Sequence, residues 1–172
     1  MRHHLTAAMI ATVGLTATTA LAATGRAAIH GTAEGSPIAG TATLADTPQG
    51  LKISVQVTGV PPGDHGIHIH EFGACEDLGK AAGSHFNPDG SRHGFLPKDG
   101  AAGAHSGDMG NITVGADGTG VLDVVLPGTT LTDGPHAVAG RAIILHEKLD
   151  DFGQPTGNAG GRIGCGKIEV QP

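Results

Sequence analysis

Hydrophobic and polar residues alternate with a period of two in several segments of the chain. Residues 51–57 (LKISVQV) alternate strictly, the pattern of a half-buried β-strand. A break at 60–64 (VPPGD) follows, and residues 66–71 (GIHIHE) then alternate again. Further strands are predicted at 27–33, 39–45, 111–114, 121–126, 139–146 and 164–170. The turn residues GSP at 35–37 separate the first two, and ADGT at 116–119 joins 111–114 to 121–126 as a hairpin. Two stretches, 72–106 and 147–161, have little period. Long irregular segments in a compact domain are usually functional or cross-linked. The pattern predicts an all-β fold: eight antiparallel strands in a Greek-key sandwich or flattened barrel with two long loops. No helix is predicted beyond short turns in those loops.

The first 22 residues do not fit this pattern. A basic head, Met1-Arg2-His3-His4, precedes an uncharged run at 5–21, and Ala20-Leu21-Ala22 offers the small residues a signal peptidase reads. Residues 1–22 are therefore expected to be a secretory signal peptide and 23–172 the folded domain. The alternative is an N-terminal anchor, but a run so rich in Thr and Ala is weakly apolar for ~30 Å of hydrocarbon. The expected product is periplasmic or otherwise secreted, with no membrane contact after signal removal.

Composition narrows the choice. With 30 Gly and 10 Pro the chain turns often, and four Phe with no Trp or Tyr leave the core to aliphatic residues. Without Arg2, nine Lys/Arg face sixteen Asp/Glu, and no basic run exists, which argues against a nucleic-acid partner. An anionic substrate would need a local positive site to overcome that field. Cys75 and Cys165 are the only cysteines. In an exported chain they read as one disulfide, with two buried thiols or two metal thiolates as the alternatives.

The histidines carry the chemistry. On a strand, His68 and His70 project from one face while Ile67 and Ile69 point the other way into the core. His85, His93 and His105 lie in the first irregular stretch, Asp108 follows His105 by three, and His146 ends a strand. Loop-borne imidazoles with one carboxylate suit a closed zinc site. Imidazoles held on strands suit copper. Alone, a His-x-His strand also fits a zinc hydratase of the carbonic anhydrase kind, but that site needs only three histidines and an open position.

Several stretches in order, 66–73 (GIHIHEFG), 85–88 (HFNP), 98–99 (KD), 107–111 (GDMGN), 146–151 (HEKLDD) and 157–166 (GNAGGRIGCG), resemble the copper–zinc superoxide dismutases. The resemblance implies copper on His68, His70, His85 and His146, and zinc on His85, His93, His105 and Asp108, with His85 bridging the two. It implies that Asp150 links a copper histidine to a zinc histidine, that Arg162 guides the substrate, and that Cys75 pairs with Cys165. The implied activity is conversion of superoxide to oxygen and hydrogen peroxide, with His85 and Arg162 as the catalytic residues. A homodimer is an open expectation, since the motifs mix bacterial and eukaryotic features. A copper- or zinc-binding protein or metallochaperone without catalysis is the alternative. His65 and His136 match non-ligand histidines, His30 is expected at the surface, and 100–103 (GAAG) reads as an insert between His93 and His105.

Overall fold

A computed structural model describes residues 22–172; the expected signal peptide lies outside the described residues except for Ala22. Eight strands form: β1 Thr24–Gly31, β2 Ala39–Thr47, β3 Gly50–Thr58, β4 Gly63–His70, β5 Asp108–Val114, β6 Gly120–Leu126, β7 Ala142–His146 and β8 Arg162–Val170. They close into one antiparallel barrel in the order β1-β2-β3-β6-β5-β4-β7-β8. Closure leaves no sheet edge unpaired. Among the described residues helix is confined to the first long connection, as a 3₁₀ turn at Lys80–Ala82 and one short helix, α1, at Leu96–Asp99. Among the described residues no helix is long and apolar enough to cross a membrane.

The alternation in the sequence becomes the barrel wall. In β1 and β3 every second residue is buried, so Ile29, Leu51, Ile53, Val55 and Val57 fill the interior. Ile67 and Ile69 of β4, Ile143 and Leu145 of β7, and Leu126 of β6 complete it. Each such side chain contributes roughly 1.5–3 kcal/mol on leaving water. β4 and β7 are buried on both faces. Their inner face joins the barrel core, and their outer face lies beneath the two long connections. There Ile144, Ala142 and Cys165 pack with Ala82.

Strand ends differ from the pattern where turns intervene. β7 begins at Ala142, three residues later than expected, because Gly140 sits at φ +78° and the Arg141 N–H turns back to the Val138 carbonyl. β8 begins at Arg162, two residues early, which places that arginine opposite His146 on the neighbouring strand.

Candidate metal centre

The site is built where β4, β7 and the first long connection meet. β4 presents His68 and His70 away from the core, and β7 ends on His146. The connection is sewn to β4 by main-chain bonds. The Ile69 N–H donates to the Gly107 carbonyl at 2.9 Å, Phe86 N–H to the Ile69 carbonyl at 2.8 Å, and Gly107 N–H to the Phe86 carbonyl at 3.0 Å. This knot fixes His85 and Asp108 beside the strand histidines. It needs glycine at 107, where a Cβ would collide with the Ile69 carbonyl. Arg141 stacks its guanidinium 3.6 Å above the ring of Phe86, the residue after His85.

Two four-residue groups result. His68, His70, His85 and His146 each bring one nitrogen within 4.8 Å of the others, and His85, His93, His105 and Asp108 form a second group on the same criterion. All are buried. His85 belongs to both groups. Its Nδ1 faces the second, 2.9 Å from Asp108 Oδ1 and 3.4 Å from His105 Nδ1. α1 and the turn after it absorb residues 100–103, so the insert leaves His105 in place, with Nδ1 3.2 Å from Asp108 Oδ1.

Asp150 spans the groups. It accepts from His68 Nε2 at 2.8 Å and from His93 Nε2 at 2.9 Å. Asn111 of β5 clasps its peptide, accepting the Asp150 N–H at 2.8 Å and donating to its carbonyl at 2.9 Å. Gly157, at φ +78°, passes so close that a Cβ would strike the Asp150 carboxylate.

The atoms left over fit metal ions. With Nε2 donating to Asp150, the buried His68 Nδ1 has no partner. His70 donates through Nδ1 to the Gly83 carbonyl at 3.0 Å, which leaves its Nε2 lone pair 3.3 Å from His146 Nε2. His93 Nδ1 lies 2.9 Å from Asp108 Oδ2 without an aligned hydrogen bond. Buried nitrogens facing one another or an oxygen are costly unless a cation sits between them. The all-imidazole group suits copper, and the group with a carboxylate suits zinc.

The electrostatics agree. Burial pushes the His85 pKa down to about 4 despite the pull of Asp108, and burial with the nearby His68 and His85 lowers His146 to about 3. Both are neutral, as ligands must be. Burial would lower His93 too, but the adjacent carboxylates of Asp108 and Asp150 outweigh it and raise its pKa to about 9. A pair of carboxylates around one imidazole thus attracts positive charge. Burial would raise Asp108, yet the surrounding His105, His85 and His93 rings and the Gly94 N–H hold it far below the usual carboxylate range.

Arg162 stands at the rim, opposite His146 across the β7–β8 ladder. Its Nη1 donates to the Gly79 carbonyl and its Nη2 to the Gly83 carbonyl, each at 2.6 Å. With Leu78, Lys80, Gly160 and Gly161 it lines a surface depression of about 310 Å³. Cys75 and Cys165 form a disulfide that ties this part of the loop to β8.

Residues 38–168 match the family of copper/zinc superoxide dismutases. The chain belongs to the copper/zinc superoxide dismutase family. The match runs from β2 into β8 and covers every residue of both donor groups. The chain is also similar to a crystal structure titled as that of the clock protein EA4, at 34% identity and a TM-score of 0.76, covering 91% of this chain and 100% of that one.

Among the described residues, the remaining histidines stay outside both groups. His65 lies between the His146 and Pro61 carbonyls, His136 meets Ser106 Oγ at 2.9 Å, and His30 is exposed. Sequence reasoning passed over Asn111 as a clasp, Gly83 as a shared acceptor and Gln154. These are tertiary contacts made by residues with no periodic signature.

Proposed function

We propose that this chain is an exported copper–zinc superoxide dismutase, with copper held by His68, His70, His85 and His146, and zinc by His85, His93, His105 and Asp108. The observation that carries the reading is His85, one imidazole shared by two complementary donor groups. Bound copper would supply one-electron exchange with superoxide, beside a zinc ion of fixed charge that cannot change oxidation state.

The chain's own residues supply the rest. Arg162 offers superoxide, a small anion, a guanidinium whose plane is fixed by two carbonyls. With Nδ1 of His85 committed to the zinc group, Nε2 is the nitrogen able to carry a proton to the reduced product. The low pKa of the buried ring favours giving that proton up. Asp150 and the Gly83 carbonyl orient His68 and His70 so that their other nitrogens face the copper position.

A second reading, metal binding without turnover, is prompted by the similar structure named as a clock protein rather than as an enzyme. The complete donor set together with Arg162 favours catalysis. Metal analysis and a superoxide-consumption assay on the reconstituted protein decide between them. Activity that appears with copper and zinc, and not with zinc alone, is expected. A fully loaded protein without activity supports the second reading.

A further inference from the structure

Between Asp150 and Gly157 the second long connection turns back over His93. Gln154 is mostly exposed, yet its side-chain amide pairs with the His93 peptide on both sides. Oε1 accepts the His93 N–H at 3.1 Å, and Nε2 donates to the His93 carbonyl at 2.9 Å. The next N–H, of Gly94, is held by Asp108 Oδ2 at 2.9 Å. The main chain at His93 is thus fixed by two separate elements, and its ring is fixed by Asp150 at Nε2. Phe152 lies against the outer face of that ring, with centroids 6.4 Å apart and planes 22° from parallel, and also packs on Phe95. No other residue of 151–156 bonds to His93.

We propose that Gln154 is a positioning residue for His93, and that its clasp sets how tightly the second donor group holds zinc. This inference rests on the assignment of that group to zinc. His93 comes from a loop, where one misplaced peptide would swing Nδ1 away from Asp108 and Nε2 away from Asp150. Groups that orient a ligand from behind are typically worth about 10–100-fold in metal affinity. An exposed amide acting through the main chain belongs at the lower end of that range. The clasp also joins the two long connections. The segment that carries Asp150 and the segment that carries His93 are thereby held together behind the His93 ring.

The test compares the wild-type full chain with Gln154→Ala and Gln154→Glu, measuring zinc affinity of the metal-stripped proteins by chelator competition and their melting temperatures without metal. Gln154→Ala is expected to bind zinc about 10-fold more weakly, with the metal-free melting temperature nearly unchanged. Gln154→Glu, which keeps the acceptor and loses the donor, is expected to fall between the two. Equal zinc affinity in Gln154→Ala and wild type overturns the inference. So does a loss of affinity matched by a large drop in metal-free stability, which would assign Gln154 to folding alone. A wild-type protein that binds no zinc would instead overturn the metal assignment beneath it.

Discussion

Arg162 and His70 meet at a single oxygen. The Gly83 carbonyl accepts from Arg162 Nη2 at 2.6 Å and from His70 Nδ1 at 3.0 Å. The guanidinium that faces solvent and an imidazole of the copper group therefore share one anchor. That anchor lies in a loop segment pinned by the Cys75–Cys165 disulfide.

Replacing Arg162 by Glu should remove the fixed positive charge and leave the donor group intact. A charge-assisted contact is worth about 1.5–3 kcal/mol, which corresponds to a rate loss of ~10- to 100-fold. Rapid-kinetic measurement of superoxide decay per bound copper checks this, with copper content expected to stay near wild type. An unchanged rate would mean that another group guides the anion.

His146→Ala should abolish copper-dependent activity in a protein that remains folded. His146 ends β7, and the barrel core does not depend on it. Far-ultraviolet circular dichroism is expected to match wild type, with zinc retained and copper weakened. Full activity in the variant would refute the copper assignment.

Asp150→Ala takes one acceptor from both His68 and His93. Affinity at both groups should fall, by about 10–100-fold at each. Separate titrations with copper and zinc test this double effect. Loss at one group only would show that Asp150 does not act as a link.

The metal-stripped protein should be most stable near neutral pH. His85 and His146 titrate at about 4 and about 3 when folded, against an ordinary 6.5. The unfolded chain therefore binds more protons below 6.5, and stability falls as the pH drops from there toward 3. His93, raised to about 9, acts in the opposite sense: its contribution is complete below 6.5 and is lost as the pH rises to 9. Calorimetry of the stripped protein across this range should give a maximum, and bound metals should flatten it. A flat profile without metals would contradict the electrostatics described for the site.

Reduction of the disulfide, or Cys75→Ser, should cost about 4–5 kcal/mol if chain entropy dominates, since 90 residues separate the two cysteines. Denaturant melts with and without reductant measure this. Because the Gly79 N–H bonds to the Cys75 carbonyl and the Gly79 carbonyl holds Arg162, the reduced protein is expected to lose activity before it unfolds.

The strands that build the barrel were legible because their faces differ. β3 alternates Leu51, Ile53, Val55 and Val57 with polar neighbours, and β4 alternates isoleucine with histidine. The donor residues were legible because imidazole spacing and motif order mark them, and the structure brings all seven into two groups. Contacts closed by tertiary folding could not be read. Asn111 reaches Asp150 across 39 positions and Gln154 reaches His93 across 61, with amides that look like any surface Asn or Gln. The start of β7 differs because Gly140, at positive φ, closes a turn in which the Arg141 N–H bonds back to Val138, and pairing begins only at Ala142.

β4 carries Ile67 and Ile69 toward the interior, and His68 and His70 toward the donor groups. A slip of one residue in pairing would exchange these faces, driving imidazoles into a dry barrel and aliphatic groups into the donor cage. Misregistered chains would therefore be unable to take up metal. Metal uptake then serves as an inspection of strand alignment: a molecule able to take up both metals has threaded correctly.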